Sequence, residues 1–366
     1  MSERKKELLT VLLAAVCVFG LFIWSLLGSD ETVSQSERRK LAQFTPPTVQ
    51  SLQSGRFMES FESYAQDQFP FRDDFRRIKA ISSRYVFGQL DNNGLYLADG
   101  HLSKLEYPLS ESSIEYAAQR FEYIRSTYLK STGAKAYLAL VPDKNYFLAE
   151  KNGYIRIDYD ELTSLLREKT PWLEYIDLFS QLSIDDYYRT DAHYRQERIV
   201  PAARYLASAM GVELPETEYE QHALGSPFYG VYWGQAALPV EPDTLYYLTS
   251  STLDGCTVYD HEAGAYTGVY DFKAAEKDGY ELFLSGSRSL LEIENPACSG
   301  GRELIIFRDS FGSSIAPLLI EGYAKITLVD IRYLPSAALG RLIDFTGQDV
   351  LFLYSTSVIN NSVTLK

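Results

Sequence analysis

The chain has 366 residues and is poor in the side chains that build metal and redox sites, with three Cys, three Met and four His. No two cysteines stand as C-x-x-C, so no structural zinc site has its usual spacing, and no metal or other cofactor is expected. Cys17 lies in an apolar run, whereas Cys256 and Cys298 lie far apart in the body. Outside the cell those two can pair; as separate buried thiols they need not, and spacing leaves both readings open. Basic charge is also scarce. Lys plus Arg total 35 against 49 for Asp plus Glu, giving a net charge of −14 and a pI near 4.9. Such a surface repels phosphate backbones and argues against nucleic acid as a partner. Trp is rare, but there are 28 Tyr. A tyrosine ring stacks on sugars with its hydroxyl solvated; it also fills cores, and no aromatic spacing separates the two uses. No repeat of solenoid period is present.

Charge is wholly missing from Leu8 to Leu27, LLTVLLAAVCVFGLFIWSLL. Twenty helical residues at 1.5 Å rise span a hydrocarbon core of ~30 Å. Arg4, Lys5 and Lys6 precede the run, and Asp30 and Glu31 follow it. That asymmetry keeps the N-terminus inside and exports the body. A cleaved signal peptide would need a shorter apolar region and a small-residue cleavage site, so an uncleaved anchor is the expectation. The chain then divides into a cytoplasmic tail (1–7), a transmembrane anchor (8–27), a polar linker (28–50) with Pro46-Pro47, and an extracytoplasmic domain (51–366).

In that domain the spacing of Phe57, Phe61 and Tyr64 predicts an amphipathic helix, interrupted at Phe69-Pro70-Phe71. Helices are predicted over 111–131, 160–168 and 195–210, the last delayed or kinked by Pro201. Short apolar runs at 136–141 and 173–176 read as strands. Residues 245–290 read as several short strands. Thereafter strands at 304–307, 325–331 and 350–354 alternate with helices at 312–321 and 335–344. The alternation predicts an α/β fold with a largely parallel sheet.

Two segments carry chemistry. In Thr190-Asp191-Ala192-His193-Tyr194 an Asp two residues before a His can reach back to the ring Nδ1–H and fix the tautomer. In Ile306-Phe307-Arg308-Asp309-Ser310-Phe311-Gly312 an apolar strand runs into a serine and then a helix. A serine there is presented at the carboxyl edge of a parallel sheet, with its N–H near a helix N-terminus. Separately these are a loop histidine and a helix-capping serine. Together they predict a serine nucleophile, Ser310, with His193 as base and Asp191 as its orienter. A metal held by Asp191 and His193 lacks further ligands at suitable spacing.

In this order the blocks Glu37-Arg38-Arg39-Lys40-Leu41-Ala42, Asp67-Gln68-Phe69-Pro70-Phe71-Arg72-Asp73, Val141-Pro142-Asp143-Lys144, Thr190–Tyr194, Asp309-Ser310-Phe311 and Asp330-Ile331-Arg332-Tyr333 resemble the DHHW family and the alginate O-acetyltransferase-like proteins. The resemblance implies an SGNH-hydrolase-like three-layer fold. The block that names the family is altered here: Ala192 replaces the first His and Tyr194 the Trp. Arg308 stands where many SGNH enzymes have Gly, and no SGNH-type oxyanion Asn is identified. Gly230 and Gly286 are candidates for a second oxyanion donor or a turn.

The resemblance implies a serine acyl-enzyme that passes an acetyl group to an extracellular or cell-wall polysaccharide. It implies substrate contacts at Arg332, Tyr194, Tyr229 and Gly230, with Arg332 taking an acid group or a structural ion pair. It also implies a multi-span membrane acyltransferase as acetyl supplier, because one transmembrane helix cannot form such a conduit. A carbohydrate esterase using the same residues, and a non-catalytic glycan-binding or assembly protein of the same fold, are the alternatives.

Overall fold

The computed structural model describes residues 3–34, 36–298 and 300–366, and the side chain of Cys17 lies outside what is described. The chain forms two compact units: Met1–Asn93 with Trp233–Val240, and Gly94–Tyr232 with Glu241–Lys366. Residues 51–93, assigned from sequence to the exported domain, thus group with the N-terminal segment.

The first unit is helical. Helix α1 (Glu3–Leu27) is, among the described residues, the one helix long and apolar enough to cross a membrane. Helices α2 (Val49–Gln53), α3 (Arg56–Asp67) and α4 (Arg72–Ile81) follow, and a π-turn over Ser82–Val86 extends the last. The break between α3 and α4 falls at the predicted Phe69-Pro70-Phe71. An Asp67 carboxylate clamps the turn from within. It accepts both ends of the Arg39 guanidinium (2.8 and 2.5 Å) and the Ala42 N–H (2.8 Å).

The second unit is built on an eight-stranded sheet. Its strands are β1 (Ala136–Val141), β2 (Glu174–Ile176), β3 (Thr257–Asp260), β4 (Ala265–Thr267), β5 (Leu290–Glu294), β6 (Glu303–Arg308), β7 (Lys325–Val329) and β8 (Asp349–Ser355). Their spatial order is β4-β3-β5-β7-β6-β8-β1-β2. Strands β7, β6, β8, β1 and β2 run parallel, and β5, β3 and β4 add an antiparallel flank. The near-continuous apolar runs of β1, β6 and β8 follow from burial on both faces. Alternate residues of β8 show it: Leu351 and Leu353 enter one core, Val350, Phe352 and Tyr354 the other.

Helices α7 (Val200–Ala209) and α8 (Gly312–Leu319) cover the first face, and α5 (Glu111–Ile124) and α6 (Tyr159–Lys169) the second. The unit is therefore three-layered. Helix α7 starts late, as Pro201 requires, with Pro at its first turn. The predicted helix over 335–344 is instead a 3₁₀ segment, Ser336–Arg341, and hairpins at 95–104 and 220–249 were not anticipated. Cys256 is buried and Cys298 half-buried, and both are free thiols.

Phe352 is the hinge of the second core. Its ring lies 4.6 Å from Phe121, 4.9 Å from Phe307 and 5.8 Å from Trp172, centroid to centroid. Phe352→Ala is expected to cost about 3–5 kcal/mol, read as a lowered urea midpoint with an unchanged slope.

Candidate active site

The parallel strands end together, and their carboxyl edge carries the turns that matter. After β6 the chain enters Asp309-Ser310-Phe311 and then α8. The Asp309 carboxylate shapes this turn. One oxygen accepts the Phe311 N–H (3.0 Å), and the other accepts the Ser355 N–H at the end of β8 (2.8 Å). Asp309 is buried, so these two bonds satisfy a carboxylate that water cannot reach. Helix α8 starts without a side-chain cap. Ser310 is thereby free of the capping role, and its hydroxyl points elsewhere.

It points to His193. Ser310 Oγ lies 2.7 Å from His193 Nε2, and His193 Nδ1 lies 2.6 Å from Asp191 Oδ1. The same carboxylate oxygen accepts the His193 N–H (3.1 Å), and Asp191 Oδ2 accepts the Val231 N–H (2.8 Å). Asp191 is buried with both oxygens engaged, while the His193 side chain keeps 15% of its surface exposed. The imidazole is sandwiched by aromatics. Tyr280 stacks on it at 3.8 Å with 8° between the planes, and Phe311 lies 5.0 Å away. Tyr280 donates to or accepts from Ser314 Oγ at 2.9 Å, which fixes the ring; burial raises its phenol pKa.

The Tyr188–Asp191 segment is held by two buried charges. Lys144, at the start of the one-turn helix after β1, directs its ammonium at three backbone carbonyls: Tyr188 (2.7 Å), Asp191 (3.0 Å) and Arg189 (3.1 Å). An ammonium has three donors, and here each has an acceptor. From the other side Asp243 accepts the N–H groups of Arg189 (3.0 Å) and Thr190 (2.8 Å) and the Thr190 hydroxyl (2.6 Å).

The remaining sequence candidates take different places. Gly230 backs directly onto the segment: a Cβ there would stand 2.4 Å from Asp191 Cβ and from Thr190 O. Its N–H is committed to Thr190 Oγ1 (3.0 Å). Gly286 has φ +72° and makes a turn; its N–H bonds Phe283 O and its carbonyl accepts Arg308. Neither amide is available to an oxyanion. Tyr194 is 1% exposed, and its hydroxyl donates to Phe311 O (2.7 Å). It braces the serine turn from beneath and is out of a ligand's reach. Arg332 pairs with Asp330 at 2.6 Å, the structural ion pair among its two expectations. Tyr229 is 42% exposed beside Gly230.

Arg308 is fully buried and donates to Asp309 O (3.3 Å), Ser313 Oγ (3.1 Å) and Arg288 O (3.3 Å). Burial lowers its pKa, and Asp330 opposes that. Its stem crosses Gly312 where a Cβ would come within 2.7 Å. Tyr280, Lys144 and Asp243 were not singled out as site residues from sequence. Lys144 sat in a quoted block, but Asp243 lies 53 residues from Thr190 and Tyr280 lies 34 from Ser314, with no spacing signal. Among the described residues no cluster of ligands suits a metal.

The DHHW protein family model matches residues 174–329, a stretch holding Asp191, His193 and Ser310. A DHHW family protein from Eubacterium siraeum DSM 15702 has a similar crystal structure: TM-score 0.61, 22% identity, covering 75% of this chain and 95% of that one. PatB1 of Bacillus cereus gives TM-score 0.59 at 19% identity over 73% and 97%; its structure with a sulfonyl adduct gives 0.57 at 19% over 72% and 97%. No curated protein matches. The resemblance to DHHW proteins and the three-layer α/β fold with a largely parallel sheet are thus borne out.

Two outcomes test the scaffold of the site. Lys144→Met removes a donor from each of three carbonyls, of which Arg189 O keeps the Leu102 N–H (2.8 Å), and should cost roughly 2–4 kcal/mol. Burial pushes the Lys144 ammonium down to about 7, with the Asp191 and Asp243 carboxylates opposing. The unfolded chain keeps it near ~10.4, so the unfolded state binds more protons between those values. The lysine's contribution to stability therefore rises with pH across that window. Chemical denaturation at pH 7 and pH 10 should show that rise in the wild type and a flatter profile in Lys144→Met. Gly230→Ala must displace Asp191 or Thr190, so its melting temperature should fall well beyond that of an exposed Gly→Ala control such as Gly255→Ala.

Proposed function

We propose that the protein is a serine-dependent O-acyltransferase that places acetyl groups on an extracellular or cell-wall polysaccharide. The observation that carries this reading is the unbroken hydrogen-bonded chain from Asp191 through His193 to Ser310. In the first half-reaction Ser310 Oγ attacks the donor carbonyl and His193 Nε2 takes its proton. The donor's bond to its leaving group breaks, and the imidazolium returns the proton to that group. In the second half a sugar hydroxyl gives its proton to His193 and attacks the acyl-serine, and Ser310 regains the proton as its ester bond breaks. Asp191 holds the tautomer and stabilises the transient imidazolium, and the face of Tyr280 supports the same cation. In this reading the Ser310 N–H, two residues before α8, is the candidate donor to the developing oxyanion.

The structure of PatB1 with a sulfonyl adduct fits this reading, since sulfonyl electrophiles are captured by activated hydroxyls. Tyr229 is the candidate sugar contact that remains at the surface. In this reading α1 is an uncleaved anchor flanked by a tail over 1–7 and a linker over 28–50, and the body lies outside the cytoplasm. Acetyl groups reach it through a multi-span membrane acyltransferase.

Intact mass of the full chain in detergent, after incubation with an activated acetyl ester, tests the nucleophile. One added acetyl group, absent in Ser310→Ala and formed at least tenfold more slowly in His193→Ala, is expected. A folded sample with neither adduct nor released acetate would overturn the enzymatic reading. Adding dilute oligosaccharide then separates the chemistries: acetylated sugar marks a transferase, and acetate alone an esterase.

A further inference from the structure

Helix α4 is packed the wrong way round for a water-soluble helix. One polar row, Arg72 and Arg76, faces inward, whereas Asp74, Arg77 and Lys79 are exposed. Arg72 and Arg76 reach the Glu37 carboxylate at 2.6 and 3.3 Å, Arg76 also donates to Gly234 O (2.7 Å), and Ala80 and Ser83 continue the buried side. Its apolar row faces outward. Phe71, Phe75, Ile78, Ile81 and Tyr85 recur at helical spacing, and they are 53, 46, 58, 40 and 63% exposed. Val86, Phe87 and Leu90 prolong the strip at 74, 74 and 64%. A soluble helix buries such a row against its core, and a contiguous exposed apolar strip on this scale marks an interaction surface.

The same unit shows what covers it. Helix α1 has 25 residues, about 37 Å at 1.5 Å per residue, against a hydrocarbon core of ~30 Å. Trp24 sits in its last turn, the level at which amphipathic aromatics gather at the membrane interface. The Phe71 ring lies 5.3 Å from the Trp24 ring, and this contact sets the first residue of the apolar row at headgroup depth. Phe71 reaches it from a left-handed backbone, φ +58°, a conformation that a bulky residue adopts only under constraint. Beside it a groove of about 740 Å³ runs between α1 and α3. Its walls pass from Val18, Leu21 and Phe22 at one end to Ser25 and Asp30 at the other. That gradient from apolar to polar is the gradient along a lipid.

We infer that α3 and α4, with the turn after them, lie in the membrane interface beside the exit of α1. The outward row of α4 is buried among lipid headgroups and upper acyl chains, and the α1–α3 groove is filled by an acyl chain. The occupant is lipid because the strip is continuous with a membrane-crossing helix at a depth fixed by Trp24 and Phe71. This rests on the reading of α1 as an anchor.

Hydroxyl-radical footprinting of the full chain, one copy per phosphatidylcholine–phosphatidylglycerol nanodisc, tests both readings at once. Phe19 and Phe22 report on α1, Phe75, Tyr85 and Phe87 on the strip, and the exposed Tyr266 and Phe272 are references. Several-fold slower labelling of both the α1 and strip residues than of the references is expected. Protected α1 residues with strip residues labelled at reference rates would overturn the inference and leave the anchor standing. Reference rates at all of them would overturn both. Strip protection that appears only with two copies per disc assigns the face to a second copy of the chain and overturns the lipid assignment.

Discussion

The candidate site depends on one buried cation. Lys144 enters the carboxyl edge of the sheet immediately after β1 and ties down the backbone of Tyr188, Arg189 and Asp191 with a single ammonium. Arg189 O also takes the Leu102 N–H of the 95–104 hairpin (2.8 Å), and in this buried loop the ammonium meets the Tyr188 and Asp191 carbonyls. Asp243 does the complementary work for the N–H groups of the same segment. A cation and an anion thus take the place of a sheet for four residues. The Asp191 carboxylate and the His193 ring inherit their positions from that arrangement. A buried charge is costly unless every donor is used, and here every donor is.

Much of this was legible in the sequence. Periodicity and apolar runs located α3, α5, α6, α7 and the strands β1, β6, β7 and β8, because buried parallel strands and amphipathic helices write their environment into residue order. The order of the Asp191–His193 and Ser310 segments gave the chemistry its candidates. The antiparallel flank of the sheet was read only as a set of short strands, since β3 and β4 are short and partly exposed and their pairing depends on partners distant in sequence. The 3₁₀ segment at Ser336–Arg341 has the composition of a helix and lacks the length of one.

What could not be read was the support. Tyr280 stacks on His193 and Asp243 grips Thr190, and both contacts cross long stretches of chain through tertiary packing alone. Tyr194 and Gly230 show the converse. Motif position brought them to notice, but burial of Tyr194 and the lack of room for a Cβ at Gly230 give them structural work. Arg332 likewise spends its charge on Asp330.

Asp191 and His193 share one short segment, whereas Ser310 belongs to the strand-and-helix frame. His193 Nε2 meets Ser310 Oγ at 2.7 Å, and the next residue of the segment, Tyr194, donates to Phe311 O at 2.7 Å. Adjacent residues of one part thus grip adjacent residues of the other, so the imidazole cannot leave the serine hydroxyl by a movement of the segment without also breaking the buried bond beside it.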